Sequence, residues 1–563
     1  MFVVATAGHV DHGKSTLVHK LTGIWPDRLE EERRRGLTID LGFAWTTIQG
    51  RQFAFVDVPG HERFVATMLA GVGPVPAVLF VVAADEGWMP QSGEHLAALD
   101  ALGVRHGLVM ITKTDLADPA PAARQAGEAL AGTSLAASPV VTSLDELRSG
   151  LVTLAEGLPA PDREADVRLW VDRAFSVRGA GTVVTGTLAA GTIRVGDVLE
   201  HAGEPVSVRG LQSLGESHDE VSAVARVAVN LRGLDRRRIG RGEVLLTPGA
   251  WRATDEVDVA LRSAGQLHRN LVLHLGSASV PVRVRPLGAS AARLRLARSL
   301  PLRVGDVGLL RDPGEHRIAA GIEILDVRPP ALDRRGAARA RAEELASGRA
   351  RPPAFAKAVD LRAMGFPVSG TRVGDWVVDE ESWSRGRREA IDRFGRWSAE
   401  HPVAAGMPIE VLRQAAALPS AELVPELLAG TGLVISEGLV RRPGAGLPPE
   451  VDRAVRVVER GLATEPFRAP EADDLARLGL GGRELAAAVR AGRLTRISDG
   501  VVLGPDALER AVEILAELPQ PFSVSEARRA LGTTRRVAVP LLELLDARRV
   551  TTRQEDGTRR LAG

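Results

Sequence analysis

A glycine-rich segment at residues 8–15 constrains this chain more than any other feature of its 563-residue sequence. It reads Gly-His-Val-Asp-His-Gly-Lys-Ser, follows an apolar run, and has the spacing G-x-x-x-x-G-K-[ST]. A loop of this kind leads from a strand into a helix, and its backbone N–H groups surround phosphate groups. We therefore predict a phosphate-binding loop for a nucleotide. The residues expected to form it are Gly8, His9, Val10, Asp11, His12, Gly13, Lys14, Ser15 and Thr16.

The pattern around this loop predicts an α/β domain over residues 1–165. Continuous apolar runs at residues 2–8, 53–60, 77–84 and 107–115 end in Gly, Asp or Lys. Such runs are typical of buried parallel strands with helical crossovers. In a doubly wound domain the ligand-binding loops lie at the carboxyl ends of the strands.

Four polar side chains are expected around the phosphates and a Mg²⁺ ion. The amine of Lys14 is expected to contact the β- and γ-phosphates, and the Ser15 hydroxyl to bind Mg²⁺. Asp57 ends an apolar run, and a carboxylate there can hold Mg²⁺ through water. Thr38 precedes Asp57 and is placed to complete the Mg²⁺ coordination, while the Gly60 N–H can sense the γ-phosphate.

A second loop predicts which base is bound. Thr112, Lys113 and Asp115 end another apolar run. The Asp115 carboxylate can accept both N–H groups of a guanine edge, and adenine presents the wrong pattern. GTP is therefore expected rather than ATP. Thr142 and Ser143 are assigned to the last guanine-contacting loop.

Together the segments GHVDHGKS, RGLTID, DVPGHE and TKTD resemble those of the translational GTPases, such as elongation factor Tu. The resemblance implies that His61 orients the water that attacks GTP, and that Val10 and Leu37 form an apolar gate restraining His61 until the ribosome triggers hydrolysis. One departure is Thr112, because the family at large has Asn there. A Thr hydroxyl is expected to do less than an Asn amide in contacting guanine and in tying the loops together.

Composition changes along the chain predict a multidomain fold: a P-loop GTPase domain, two β-barrels, and a tandem array of α+β winged-helix modules. Short strands punctuated by glycine follow residue 165, and helix–helix–hairpin patterns follow a basic connector. The predicted domains are 1–165 (GTP-binding), 166–248 and 249–328 (β-barrels), 329–400 (connector and first winged helix), 401–445, 446–505 and 506–563 (winged helices two to four).

Three features are similar to the selenocysteine-specific elongation factors: TKTD, the Leu-Gly-Phe after TID, and the stretch from Val171 to Leu188. This resemblance implies delivery of selenocysteinyl-tRNA to the ribosome at UGA codons. The implied amino-acid pocket lies between the GTPase domain and the first barrel, with Asp172, Arg173 and Arg241 as its candidate residues. A cationic pocket can select an anionic selenol over the neutral hydroxyl of serine.

The C-terminal module carries a concentration of positive charge. From Arg528 to Arg560 there are nine arginines and four acidic residues, a net charge of +5. Clustered arginines on a winged helix suit the phosphates of a bulged RNA, and the family resemblance implies an mRNA hairpin as partner. The arginines predicted to contact it are Arg535, Arg536, Arg553 and Arg559.

Two other functions fit parts of this pattern. A general aminoacyl-tRNA or initiator-tRNA carrier would keep the GTPase site, although TKTD and the winged-helix tail count against it. A GTP-responsive winged-helix regulator of nucleic acid would keep both ends of the chain, although the barrel pair between them counts against it. The absence of cysteine agrees with a reducing cytoplasm, and no apolar stretch predicts a membrane span. The family behaviour implies a monomer.

Overall fold

The computed structural model describes residues 1–26, 38–73, 75–179, 181–262, 265–346, 348, 351–443 and 446–562. They form two compact units: residues 1–352 with 357–368, and residues 353–356 with 369–563. The predicted fold class is confirmed, because an α/β domain precedes two β-rich domains and a series of small helix–hairpin modules. Within the described ranges, no helix is both long enough and apolar enough to cross a membrane.

A six-stranded sheet organises the N-terminal domain, in the order β2-β3-β1-β4-β5-β6. Strand β2 runs antiparallel to β3, and the other neighbours are parallel. The strands are β1 (Phe2–Ala7), β2 (Gly42–Ile48), β3 (Arg51–Asp57), β4 (Ala77–Ala83), β5 (His106–Thr112) and β6 (Val140–Val141). The helices are α1 (Lys14–Thr22), α2 (Val65–Val72), α3 (Pro90–Ala101), α4 (Pro119–Leu130) and α5 (Leu144–Gly157).

Apolar side chains cover both faces of this sheet, which explains the continuous apolar runs of its strands. One core joins the sheet to α2, α3 and α4, and the other joins it to α1 and α5. Because β1, β3, β4 and β5 are parallel, their carboxyl ends meet at one edge. Strand β3 lies on one side of β1 and β4 lies on the other, so the strand order reverses at β1. In sheets of this kind, ligands bind in the crevice at the carboxyl ends of the strands where the order reverses.

The first β-rich domain contains β7 (Arg168–Val177), β8 (Gly181–Leu188), β9 (Thr192–Arg194), β10 (Val198–His201), β11 (Glu204–Ser213), β12 (Glu216–His218), β13 (Glu220–Ser222), β14 (Ala225–Arg232) and β15 (Val244–Leu246). Its main sheet has the order β10-β15-β7-β8-β14-β11-β12, and an additional pairing of β10 with β11 closes the ring. Strands β9 and β13 pair separately. Alternating inward residues fill the interior, as the burial pattern of β14 shows.

The second β-rich domain is a closed barrel with the order β16-β19-β18-β17-β20-β21. Its strands are β16 (Arg252–Arg262), β17 (Asn270–Leu275), β18 (Ala278–Pro286), β19 (Ala291–Leu302), β20 (Val307–Asp312) and β21 (Arg317–Asp326). Helix α3 packs on this barrel closely enough that a side chain at Gly321 would clash with the carbonyl group of Ala101.

The basic connector packs against the second barrel through charged groups. It forms helix α6 (Ala337–Ala346), and the Arg341 Nε donates to Asp258 Oδ2 at 2.7 Å, both side chains being buried. Helix α7 (Ala358–Met364) follows, and its Met364 carbonyl accepts a hydrogen bond from the Val304 amide at 2.9 Å. Residues 357–368 therefore belong to the first unit, although the sequence analysis placed them with the first winged helix. The division of the chain into seven domains stays a prediction.

The second unit repeats a helix–helix–hairpin order. Its helices are α8 (Glu380–Glu400), α9 (Ile409–Ala415), α10 (Val424–Leu428), α11 (Pro449–Thr464), α12 (Ala472–Arg477), α13 (Gly482–Arg490), α14 (Ala507–Ala516), α15 (Val524–Ala530) and α16 (Arg535–Ala547). Its strands are β22 (Phe355–Lys357, the last residue belonging to the first unit), β23 (Thr371–Val373), β24 (Trp376–Val378), β25 (Met407–Pro408), β26 (Val434–Ser436), β27 (Leu439–Arg441), β28 (Thr495–Ser498), β29 (Val501–Leu503), β30 (Thr551–Arg553) and β31 (Arg559–Leu561). The last two modules share one apolar core, from α11 to α16.

Candidate functional site

The phosphate-binding loop connects β1 to α1 with a strongly curved backbone. Gly8, Asp11 and Gly13 have positive φ values of 124°, 62° and 81°. A Cβ atom at Gly8 would clash with the carbonyl oxygen of Val81, so only glycine fits there. The Lys14 side chain is 6% exposed, and its Nζ donates to the carbonyl oxygens of Gly8 at 3.1 Å and His9 at 2.6 Å. The curved loop thus holds the Lys14 amine through its own backbone carbonyl groups, which places a positive charge inside the predicted phosphate-binding loop.

Helix α3 holds this loop through two side chains that the sequence analysis missed. The Gly8 amide donates to His95 Nδ1 at 3.1 Å, and the Val10 amide donates to Gln91 Oε1 at 3.2 Å. Burial, with a smaller contribution from the positive charge of Lys14, lowers the His95 pKa to about 3. A neutral imidazole can accept the amide proton. The spacing of Gln91 and His95, four residues apart on one helix face, was the available signal.

Three oxygen-bearing side chains meet beside the loop. The Ser15 hydroxyl donates to Asp57 Oδ2 at 2.6 Å and lies 3.0 Å from the Thr38 hydroxyl. Asp57 is fully buried, and its other oxygen accepts a hydrogen bond from Thr6 Oγ1 at 2.7 Å. This Thr6 hydroxyl also accepts a hydrogen bond from the Val58 amide at 3.0 Å, which fixes the carboxylate. The predicted metal ligands are therefore close together, and a set made only of oxygens is the kind that Mg²⁺ prefers.

The segment after β3 approaches the phosphate-binding loop at Gly60. A Cβ atom there would lie 2.7 Å from the Val10 nitrogen, so glycine is required for this contact. The next residue, His61, is half-buried, and its Nδ1 accepts a hydrogen bond from the Arg63 amide at 3.2 Å. Of the predicted apolar gate, Val10 is half-buried in the loop, whereas Leu37 lies outside the described residues.

The guanine-specific loop is tied to the phosphate-binding loop by Thr112. Its hydroxyl donates to the His12 carbonyl at 2.7 Å, so the threonine does connect the two loops, although the sequence predicted a smaller contribution than that of Asn. Lys113 Nζ donates to Asp85 Oδ2 at 3.1 Å. Asp115 is exposed at the same edge of the sheet, where its carboxylate is accessible to a base.

Thr142 and Ser143 stand directly after β6, at the same edge, but their polar groups cap helix α5. The Thr142 and Ser143 amides donate to Glu146 Oε2 at 2.9 Å and 3.3 Å. The Ser143 hydroxyl accepts a hydrogen bond from the Glu146 amide at 3.3 Å, which completes a capping box. Their assignment to guanine binding therefore stays a prediction, with Glu146 as a competing partner.

The candidate pocket residues lie together where β7 faces the GTPase domain. Asp172 is 4% exposed and accepts a hydrogen bond from Arg226 Nη2 at 2.6 Å. Arg241 Nε donates to the Asp172 carbonyl at 3.0 Å. Both Arg173 and Arg241 form ion pairs with Asp40, a residue that the sequence analysis did not single out. Burial alone would raise the Asp40 pKa, but the guanidinium groups of Arg241 and Arg173 outweigh burial and lower it.

Arg226 also contributes to this cluster and was missed at the sequence level. Its guanidinium carbon lies 3.8 Å from the centre of the Phe43 ring, a cation–π contact across the domain junction. Phe43 belongs to the Leu-Gly-Phe stretch that carried part of the family resemblance. The stretch therefore has a structural role at the junction of the GTPase and first β-rich domains.

The four arginines predicted to bind RNA differ in exposure. Arg535 and Arg553 are exposed. Arg536 is half-buried and donates to the carbonyl oxygens of Ala469 and Pro470, at 3.0 Å and 2.9 Å. The fourth candidate, Arg559 on β31, is 4% exposed and donates to Asp546 Oδ2 at 2.8 Å. We therefore withdraw Arg559, because its guanidinium group is buried and paired with a carboxylate of its own module.

Comparisons with known proteins assign two parts of the chain to families. Residues 1–235 match the model of the elongation factor Tu GTP-binding domain, and residues 513–560 match the winged-helix model of elongation factor SelB. The chain therefore combines a translational GTPase domain with a SelB-type winged helix. The selenocysteine-specific elongation factors of Desulfomicrobium baculatum and Escherichia coli K12 are 38% and 39% identical to it over 352 and 349 residues.

Those alignments cover 58% and 59% of this chain, and 55% and 56% of the two relatives, so the chain matches about half their length. A crystal structure of a bacterial selenocysteine-specific elongation factor matches both chains over their full length, with a TM-score of 0.73 and 25% identity. The structure of SelB from Methanococcus maripaludis with a GTP analogue matches 58% of this chain and 79% of that one, with a TM-score of 0.52 and 26% identity.

Proposed function

We propose that this chain is a GTP-hydrolysing elongation factor that delivers selenocysteinyl-tRNA to the ribosome at UGA codons. The observation that carries the proposal is the convergence of Lys14, Ser15 and Asp57 at one edge of the sheet. Arg173 and Arg241, the candidate pocket arginines, pair with Asp40 beside this edge. The relatives named as selenocysteine-specific elongation factors support the choice of tRNA. The factor works in the cytoplasm, as a monomer, with GTP and GDP as its nucleotides.

A Mg²⁺ ion fits the oxygen cluster of Ser15, Thr38 and Asp57. It would supply charge neutralisation for the phosphates. Lys14 adds a second positive charge inside the loop, and the loop N–H groups add hydrogen bonds to the phosphate oxygens. Phosphoryl transfer depends on positioning and electrostatic stabilisation rather than on a covalent nucleophile. His61 then orients the water for in-line attack, and Val10 with Leu37 restrains it before the ribosome acts.

Guanine recognition is expected to depend on Asp115. Replacing it with asparagine puts an N–H donor opposite the donors of guanine, whereas xanthine offers a carbonyl group at that position. We expect Asp115→Asn to weaken GTP binding by about 10- to 100-fold, from the roughly 1.5–3 kcal/mol of one hydrogen bond to a charged group. Binding of xanthosine triphosphate should improve in the same variant. Asp118→Asn, at the nearby cap of α4, is the matched control, and equal GTP affinity in Asp115→Asn and wild type would refute the assignment.

Selection of the amino acid is assigned to Asp172, Arg173 and Arg241. The two guanidinium groups favour a selenolate, which carries a full negative charge, over the neutral hydroxyl of serine. With a GTP analogue, wild-type protein is expected to retain selenocysteinyl-tRNA on a filter and to release seryl-tRNA. Arg173→Met should reduce this preference by about 10- to 100-fold, the loss of one hydrogen bond between charged groups. Equal retention of both tRNAs by the wild type would eliminate the proposed function.

The C-terminal module is proposed to bind an mRNA hairpin, which places the carrier next to the UGA codon. Two sites on one chain raise the local concentration of the tRNA there. If Arg535 and Arg553 contact phosphates, the Arg535→Ala/Arg553→Ala variant should bind a hairpin from a selenoprotein message more weakly. A plot of the logarithm of the binding constant against the logarithm of the salt concentration should also become less steep, by about 0.7–0.9 per arginine. Arg510→Ala, an exposed arginine paired with Asp506, is the control, and an unchanged salt dependence in the double variant would exclude these contacts.

A further inference from the structure

A single carboxylate connects the nucleotide site to the two pocket arginines. Asp40 Oδ2 accepts a hydrogen bond from Arg173 Nη2 at 2.7 Å, and its Oδ1 pairs with Arg241 Nη2. Asp40 lies two residues after Thr38, whose hydroxyl is 3.0 Å from that of Ser15. The short segment 38–40 therefore contacts the phosphate-binding loop at one end and the first β-rich domain at the other.

Other contacts of the two arginines show what Asp40 adds. Arg241 is also held by the Asp172 carbonyl, at 3.0 Å from Nε, and by the Thr67 hydroxyl, at 2.9 Å from Nη1. Arg173 also donates to the Leu41 carbonyl at 3.0 Å, so its hydrogen bonds to Asp40 and Leu41 come from the segment next to Thr38, and its guanidinium carbon lies 5.7 Å from the centre of the Phe43 ring. The position of the Arg173 guanidinium thus depends on this segment, whereas that of Arg241 depends on it only in part.

The charges of the cluster favour one additional anion. Asp172 and Arg226 neutralise each other in a buried ion pair. Asp40, Arg173 and Arg241 together carry a net charge of +1, and their side chains are 28%, 32% and 34% exposed. A monoanionic group that reaches the pair of arginines would complete the neutralisation. Without Asp40 the two guanidinium groups would repel each other and would no longer be held at one point.

We propose that Asp40 is a positioning residue that makes the geometry of Arg173 and Arg241 depend on the bound nucleotide. When Thr38 lies beside Ser15, Asp40 holds both arginines together as a receptor for the anionic aminoacyl group. When the segment leaves the phosphate-binding loop, Asp40 leaves with it and Arg173 loses its ion pair with this carboxylate. The inference rests on the proposed function for the identity of the anion, but the link between the nucleotide and the arginines does not require tRNA.

Reciprocity provides a test without tRNA. If Arg173 and Arg241 stabilise the position of segment 38–40 beside the phosphate-binding loop, they must also raise the affinity for the nucleotide that brings the segment there. We expect Asp40→Asn to lower the ratio of affinities for a non-hydrolysable GTP analogue over GDP by at least about fivefold, the lower end of usual coupling between sites. Arg173→Met/Arg241→Met should lower the ratio similarly. Adding Asp40→Asn to that double variant should lower it little further, because the three residues act as one unit.

The matched control is Glu156→Gln, which removes an exposed carboxylate paired with Arg51 at 2.8 Å. Arg51 is the first residue of β3 and therefore lies at the end of the sheet opposite the nucleotide edge. The ratio of Glu156→Gln should equal that of the wild type. An unchanged ratio in Asp40→Asn, or a full additional loss in the triple variant, would overturn the proposal. Misfolding would weaken the binding of both nucleotides alike and leave their ratio unchanged, and thermal unfolding of each variant measures it separately.

A parallel titration with selenocysteinyl-tRNA separates this inference from the proposed function. Wild-type protein should bind the tRNA more tightly with the GTP analogue than with GDP, and Asp40→Asn should reduce that difference by at least about fivefold. A wild type that binds no selenocysteinyl-tRNA would refute the proposed function, and the nucleotide ratios would still decide the role of Asp40. A wild type that shows the difference and an Asp40→Asn variant that keeps it in full would refute the inference alone.

Discussion

Lys14→Ala is expected to reduce the affinity for both GTP and GDP by at least about 100-fold. The Lys14 side chain is almost fully buried within the loop, where its amine donates to the backbone carbonyl groups of Gly8 and His9. Removing it leaves the phosphates with backbone donors and takes away a charge at low local dielectric. Two or more hydrogen bonds to a charged group, each worth about 1.5–3 kcal/mol, account for this magnitude. Fluorescence titration with a labelled nucleotide measures the effect.

Lys20→Ala is the matched control for this experiment. Lys20 lies in the last turn of the same helix and is exposed, so its removal takes one positive charge from α1 without touching the loop. We expect its nucleotide affinity to stay within about twofold of the wild type, since exposed charges contribute little. If Lys14→Ala bound GTP as tightly as Lys20→Ala does, the phosphate-binding assignment of residues 8–15 would be wrong.

His61→Ala is expected to leave GTP affinity unchanged while ribosome-stimulated hydrolysis falls by about 10²- to 10⁴-fold, the usual contribution of a side chain positioned for proton transfer. The residue follows Gly60, which approaches the Val10 amide, so its side chain belongs to the segment next to the phosphate-binding loop. Single-turnover hydrolysis on ribosomes, with GTP binding measured separately, distinguishes the two effects. We expect the imidazole to have no role in holding the nucleotide.

His106→Ala serves as the control for His61→Ala, because His106 begins β5 at the edge of the sheet opposite the nucleotide loops. It should hydrolyse GTP at the wild-type rate. Equal rates in His61→Ala and His106→Ala would show that another group orients the water. A loss of GTP binding in His61→Ala would instead assign His61 to the binding site.

The sequence predicted those parts of the site that are continuous along the chain. The loop at residues 8–15 and the acid Asp57 follow buried strands, and parallel strands bring their carboxyl ends to one edge whatever the other details. The barrel strands and the helix–hairpin modules were likewise readable from local alternation and turn residues. Each of these patterns is set by neighbouring residues, which a single sequence contains.

Contacts between distant segments were not predictable in the same way. Gln91 and His95 hold the loop from a helix about 80 residues away, and their spacing on one helix face does not tell which segment they contact. Asp40 meets its arginines across more than 130 residues. Arg559 was interpreted from charge alone, whereas its pairing with Asp546 and its burial depend on how β31 packs. Tertiary packing decides which charged groups stay available to a ligand.

A crystal structure of the full chain with a non-hydrolysable GTP analogue and Mg²⁺ would show directly where the nucleotide binds. We expect the phosphates within the loop of residues 8–15 against Lys14, Mg²⁺ held by Ser15 and Thr38, and the guanine edge on Asp115. Density for the nucleotide elsewhere, or a crevice that stays closed at saturating nucleotide, would contradict this nucleotide site and the carrier function that depends on it.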